Sequence, residues 1–242
     1  MPPPRSQPTD SEKTPNQPLP SPSPPSKSPK SKTDCVTIRP MDRKLITYDI
    51  DGVTCNTARS LSHAIRAKLG IPFKVNDITQ YDTFALLTQK YGVNLKSAHE
   101  IIALYSDPEF LRSLRPYTIA QVCIPVLQCL GFDAAFASSR PTSCTDITEL
   151  WSLSHFPSVS QVHVLASDKE NYIATTLQPV RHIDDRAYTV VRINDLSPDT
   201  PARLITRSWN RHEDVPDEYR LKIGWFSFVA QAMHVIMTCD QY

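Results

Sequence analysis

Residues 46–57 read ITYDIDGVTCNT: an apolar run stops at Asp49, a second acid follows two residues later at Asp51, and the chain turns at Gly52. From Lys44 onward, short apolar runs alternate with amphipathic segments, the pattern of a parallel sheet covered by helices. The runs are KLITYD (44–49), FDAAFAS (132–138), QVHVLAS (161–167), VRHID (180–184), YTVVRI (188–193) and ARLIT (202–206). Between them, Leu61, Ala64, Ile65 and Leu69 recur near a helical period, as do Ile119, Val122, Val126, Leu127 and Leu130. Both stretches read as helices, stopped by Gly70 and Gly131. The gap between the first two runs is far longer than a minimal crossover. Residues 71–115 fill it with helical patterns (NLKSAHEIIALYS, DPEFLRSL) and the aromatics Phe73, Tyr81, Phe84, Tyr91, Tyr105 and Phe110. They read as a small helical cap whose aromatics mostly form its own core.

The rest of the chain bounds the answer. A tail over residues 1–34, rich in Pro and Ser, has too few large apolar side chains to offset ordering entropy and is expected to be disordered. The remainder, 35–242, reads as one α/β domain with its core at about 40–56 and 116–242 and the cap at about 57–115. The stretch DEYRLKIGWFSFVAQAMHVI (217–236) follows Pro216 and reads as a long packing helix. A net charge of +1 provides no basic face for a nucleic-acid polymer. No apolar stretch is long enough to span a bilayer, and no secretory leader is evident, so a cytoplasmic or nuclear location is expected without a membrane partner. The six cysteines form no CxxC pair and no metal-ligand spacing. Nothing in the sequence decides whether a homodimer forms.

In an open parallel sheet, ligands bind at the carboxyl ends of the strands. Polar residues gather there: Asp49 and Asp51 after the first run, Ser138, Ser139 and Arg140 after the second, Ser167, Asp168 and Lys169 after the third, Asp184 and Asp185 after the fourth. Singly, each has an ordinary reading as a turn, a helix cap or a solvated lysine. Together they fit phosphoryl transfer to water. Clustered carboxylates need a cation among them, and hard oxygen ligands near a phosphate select Mg2+, with Asp49 and either Asp184 or Asp185 as candidate ligands. Asp49 is the candidate nucleophile and Asp51 the acid and base. Ser138, Ser139, Arg140 and Lys169 are candidates for holding phosphate. His182, two residues before Asp184, reads as a packed core histidine.

The motifs YDIDGVTCNT, FASSRP, SDK and HIDD, in this order, resemble the haloacid dehalogenase superfamily of phosphatases over residues 44–230. The resemblance implies a Rossmann-like parallel sheet flanked by helices with a helical cap inserted after the first strand. It also implies a magnesium-dependent phosphomonoesterase working through an aspartyl-phosphate, with a second metal contact from the backbone carbonyl of Asp51. The insertion after the first motif, the SSRP and IDD motifs and the segment LITRSWNR (204–211) are similar to the 5'(3')-deoxyribonucleotidase group, which implies a nucleoside monophosphate as substrate. In that group the last segment reads like RPYN, where this chain has Arg207, Ser208, Trp209 and Asn210. Ser138 stands where Thr is commoner, and Thr54 and Cys55 stand where apolar and small residues are usual. Two other readings stay open: a phosphatase for another small phosphomonoester or a phosphoprotein, and a non-catalytic interaction protein with this fold.

Overall fold

The computed structural model describes residues 43–159 and 161–221. The Pro/Ser-rich tail lies outside these residues, as does the helix expected over 217–236 from residue 222 onward. The described part of that stretch is a 3-10 turn, Asp217–Tyr219, after which Arg220 bridges to Leu204.

The chain runs β1 (Lys44–Tyr48), α1 (Thr57–Leu69), α2 (Thr83–Ala85), α3 (Leu95–Ile102), α4 (Pro108–Ser113), α5 (Thr118–Cys129), β2 (Phe132–Ser138), α6 (Thr145–His155), β3 (Gln161–Val164), α7 (Lys169–Tyr172), β4 (Arg181–Asp184), α8 (Ala187–Leu196) and β5 (Ala202–Leu204). The strands form one parallel sheet in the order β3-β2-β1-β4-β5. This is the expected α/β architecture, with a helical insertion between β1 and β2 where adjacent parallel strands need only a short crossover. Among the described residues, no helix is long and apolar enough to cross a membrane.

Register fixes what meets at the sheet's carboxyl edge. Tyr48 lies opposite Phe136 on one side and Ile183 on the other. The Asp49 N–H continues the ladder onto the Ile183 carbonyl at 2.8 Å, so Asp49 emerges beside Asp184. Local chemistry sets the helix that follows. The Asn56 side chain accepts the Arg59 N–H to open α1, and Gly70 closes it at φ 67°, a left-handed cap that glycine adopts without strain.

Two apolar clusters hold β1, β2 and the insertion, beside a third that joins α8 to β5 through Val190, Ile193, Ala202 and Leu204. One packs β1 and β2 against α5 and α6, with Phe136 edge-on to Phe156 at 5.2 Å between ring centres. The other lies within the insertion, where Leu61 and Ile65 of α1 meet Phe73, Leu87 and Ile101. Phe73 is fully buried there, while Phe84, Tyr91, Tyr105 and Phe110 pack at the cluster's edge.

Two sequence readings need correction. YTVVRI (188–193) is not a strand but most of α8; its buried residues Ala187, Val190 and Ile193 repeat every three residues, and the helix supplies the crossover that parallel β4 and β5 require. In α5 the buried face is Ala120, Cys123, Ile124 and Leu127, whereas Val122, Val126 and Leu130 are exposed. That helix is apolar on most sides, so periodicity alone does not choose the inward face.

Replacing Phe136 by Ala should destabilise the fold by about 3–5 kcal/mol, because a close-packed ring is removed. Leu153→Ala on the outer face of α6 should shift stability by no more than about 0.5 kcal/mol. Chemical denaturation midpoints of the two variants check both expectations.

Candidate active site

The carboxyl edge of the sheet opens into a pocket of about 550 Å³ whose floor carries Asp49, Asp51, Lys169, Asp184 and Asp185 and whose roof comes from the insertion, including Tyr81, Phe84 and Tyr105. At its centre, the buried Lys169 ammonium donates to Asp49 Oδ1 at 2.5 Å and to Asp184 Oδ2 at 2.8 Å. Burial works against its charge, yet Asp184 and Asp49 hold it protonated well above the usual lysine range. Burial also works against Asp184, but Lys169 and His182 keep it ionised far below the usual carboxylate range.

His182 is fully buried, as a core histidine should be, and also bridges Thr47 Oγ1 (2.9 Å) and Asp184 Oδ2 (3.1 Å). Strand alternation continues regularly to Asp184, so the two side chains share a face.

Asp185 differs. Its Oδ2 accepts the Trp209 indole N–H at 2.9 Å and meets no lysine or arginine in an ion pair among the described residues. Burial first, then Asp184 and Asp49, push it well above the usual carboxylate range. Burial likewise pushes Asp49 up to about 7 against the pull of Lys169.

Ligand oxygens of Asp49, Asp184 and Asp185 all lie within 4.8 Å of one another. Three hard oxygen donors converging on one point, with one of them making no ion pair among the described residues, fit a divalent cation such as Mg2+. The carboxylate of Asp51 is not part of this trio.

Asp51 instead binds Arg140 bidentately, Nε to Oδ2 at 2.8 Å and Nη2 to Oδ1 at 3.0 Å, and accepts the Thr57 hydroxyl at 2.5 Å. Burial raises Asp51, but Arg140 and Thr57 outweigh it and keep its carboxylate below the usual range. Arg140 also donates to Thr148 Oγ1 at 3.2 Å and lies over the Trp151 ring. Three of its five N–H donors are thus committed to the protein, while the side chain still lines the pocket.

Ser138 is buried at the end of β2, where its oxygen accepts the Arg140 backbone N–H at 3.3 Å, and Ser139 is exposed on the pocket wall. The Thr54 hydroxyl, unusual at its position, is satisfied by the backbone carbonyls of Asp49 and Ile50.

Sequence reading assigned no site contact to the segment 207–210. The Arg207 guanidinium donates to the Gly52 carbonyl at 2.8 Å, Trp209 to Asp185, and Asn210 to the carbonyls of Asp185 and Ile205. Gly52, at φ 79°, is pressed so close that a Cβ would collide with the Asp185 carboxylate and touch Trp209. Thr57 also carries no sequence signal beyond its place as the first residue of α1, five residues after DxDG.

No protein-family model and no curated protein sequence matches the chain. Solved structures do. A haloacid dehalogenase-like hydrolase of Streptococcus pneumoniae superimposes with a TM-score of 0.55 at 13% identity, covering 78% of this chain and 98% of the other. The haloacid dehalogenase fold is the fold of this chain. A predicted phosphatase of Clostridium acetobutylicum shares it (TM-score 0.53, 14% identity, 79% and 99% covered), as does a subfamily IA hydrolase of Geobacter sulfurreducens (0.52, 14%, 78% and 96%). At such identities the similarity establishes the haloacid dehalogenase fold, while the chemistry rests on the residues themselves.

Asp185→Asn should stabilise the metal-free protein by about 0.5–2 kcal/mol, because a carboxyl whose ionisation is opposed by burial and by Asp184 and Asp49 is replaced by a neutral amide that keeps an acceptor for Trp209. Mg2+ at a hundred times its Kd should stabilise the parent by about 2.7 kcal/mol and the variant far less, as read from thermal melts with and without the ion. Arg140→Ala should cost about 3 kcal/mol, the low end for a broken buried pair because the Asp51 side chain keeps 25% exposure; urea denaturation measures it.

Proposed function

We propose that the chain is a magnesium-dependent phosphomonoester hydrolase that works through an aspartyl-phosphate on Asp49. The observation that carries this reading is the buried meeting of Asp49, Asp184, Asp185 and Lys169 at one end of the sheet. A non-catalytic protein gains nothing from four carboxylates, counting Asp51, set against the two cations Lys169 and Arg140.

Mg2+ held by the Asp49, Asp184 and Asp185 carboxylates would neutralise the anionic nucleophile and the phosphate. Lys169 engages Oδ1 of Asp49, leaving Oδ2 without a protein donor among the described residues and available to attack phosphorus. As the Asp49 oxygen bonds to phosphorus, the bond to the leaving oxygen breaks, and that oxygen takes the proton carried by Asp51, which is left ionised. Lys169 holds a fixed positive charge beside the transferring group. In the second step water attacks phosphorus, the acyl-phosphate bond breaks to regenerate the Asp49 carboxylate, and Asp51 accepts the water's proton. The ion pair with Arg140 keeps Asp51 ionised, which suits it to the base role in that step.

The finer reading is a nucleoside monophosphate, in line with the resemblance to 5'(3')-deoxyribonucleotidases. Phe84 and Tyr105 on the pocket roof support it, since each offers ring surface to a base in the pocket. A soluble homodimer and a cytoplasmic location are compatible with this activity, as is the division into a core at about 40–56 and 116–242 with a cap at about 57–115.

Purified protein should hydrolyse phenyl phosphate with Mg2+ and lose that activity with chelator. Asp49→Asn should lower kcat by about ten-thousand-fold, the scale of removing a nucleophile, with an unchanged melting profile as the folding control. Magnesium-dependent turnover that survives in Asp49→Asn would exclude Asp49 as the nucleophile. A panel of nucleotides and sugar phosphates ranks the substrate classes by kcat/KM.

A further inference from the structure

Three cationic side chains line the pocket: Arg140, Lys169 and Arg186. The first two are spent on the carboxylates of the floor. Arg186 is not. Its backbone N–H donates to Asp184 Oδ1 at 2.7 Å, which fixes the residue at the start of α8, but its guanidinium forms no hydrogen bond or ion pair among the described residues.

Two aromatic rings hold the guanidinium instead. Its Cζ lies 5.1 Å from the ring centre of Tyr81, on the insertion, and 5.6 Å from that of Tyr188, in the first turn of α8. Stacking on rings orients the flat fork while leaving its five N–H donors free, and a guanidinium so presented is matched to a carboxylate or a phosphate. Tyr81 and Tyr188 are 51% and 61% exposed, which for rings of this size calls for a reason beyond packing. The pocket is also of a size that takes a whole small molecule rather than a phosphate alone.

We propose that Arg186, clamped by Tyr81 and Tyr188, is a specificity residue that binds a second anionic group, a carboxylate or another phosphate, on the substrate whose phosphoryl group meets Asp49. This rests on the reading of the floor as a phosphoryl-transfer site. It narrows the substrate class, and among nucleotides it favours a bisphosphate over a simple monophosphate: phosphomonoesters carrying two separated anions, one for the floor and one for the mouth. An uncommitted cation suits that task because the surplus of acids below would otherwise repel the second anion.

The test uses matched pairs with Mg2+. Phosphate release gives kcat/KM for 3-phosphoglycerate against glycerol 3-phosphate, which differ by a carboxylate, and for adenosine 3',5'-bisphosphate against adenosine 5'-monophosphate, which differ by a phosphate. The doubly anionic member of at least one pair should be preferred by about ten-fold or more, the scale of one charge-assisted bidentate contact, and the pair that shows it names the group. Arg186→Gln should collapse that ratio, chiefly through KM, whereas Arg192→Gln, on α8 but outside the pocket, should leave it unchanged. No preference in either pair overturns the proposal. So does an Arg186→Gln variant that slows both members equally, which would make Arg186 a brace for Tyr81. If no phosphomonoester, phenyl phosphate included, is turned over, the phosphatase reading fails. Calorimetric titration of the same two pairs into the parent and Arg186→Gln proteins then decides this proposal: affinities alike within a pair, or unaltered by the substitution, overturn it.

Discussion

One ammonium shared by two buried carboxylates is the interaction on which the site depends. Lys169 is held between Asp49 and Asp184, which leave neighbouring strands of the sheet, and it makes their burial tolerable. Burying a charge is costly unless it is paired and hydrogen-bonded. A single lysine answers Asp184 fully and Asp49 in part, while Asp185 beside them accepts an indole N–H and feels Arg207 and Lys169 too weakly to offset its burial and its acidic neighbours. The remaining negative charge is the physical reason to place a divalent cation there, and it makes the same cluster a weak point of the fold when no cation is bound.

Around that centre the protein spends much of its polar chemistry on holding acids still. Arg140 reaches from the end of β2 to grip Asp51 with two donors and Thr148 with a third, while Thr57 approaches Asp51 from the start of α1. The segment after β5 closes the other side, with Trp209 on Asp185, Asn210 on its backbone and Arg207 on Gly52. With the acids fixed beforehand, the phosphate of the proposed reaction would meet charges already in place, which is how electrostatic catalysis avoids reorganisation. Gly52 belongs to this arrangement. It occupies a left-handed turn so close to Asp185 that no side chain fits.

Within this setting the two ends of the pocket have opposite character. Acids and a captive lysine make the floor, while exposed rings and a free guanidinium make the mouth. Arg186 follows directly on the Asp184–Asp185 pair, and its partner ring Tyr81 comes from the insertion, so the one contact ties the floor's own strand to the pocket roof.

Much was legible in the sequence because strand ends are local features. Apolar runs stopping at Asp49, Ser138 and Asp184, and the polar residues that follow them, need only period and punctuation to be read, and in a parallel sheet such ends share one edge. The helical insertion was readable from the excess length between β1 and β2. What the sequence left undecided is whatever depends on partners distant along the chain. YTVVRI has the composition of a strand, yet it is a helix because parallel β4 and β5 need a crossover between them. The pairing of Arg140 with Asp51, 89 residues away, has no signal in the local sequence, and Trp209 gains a purpose only because Asp185 comes within reach of its N–H. By itself, then, the sequence determined which residue types stand at the sheet's working edge. Tertiary structure alone decided which charges are already answered and which are left over, because pairing depends on distance in space, which spacing along a chain does not encode.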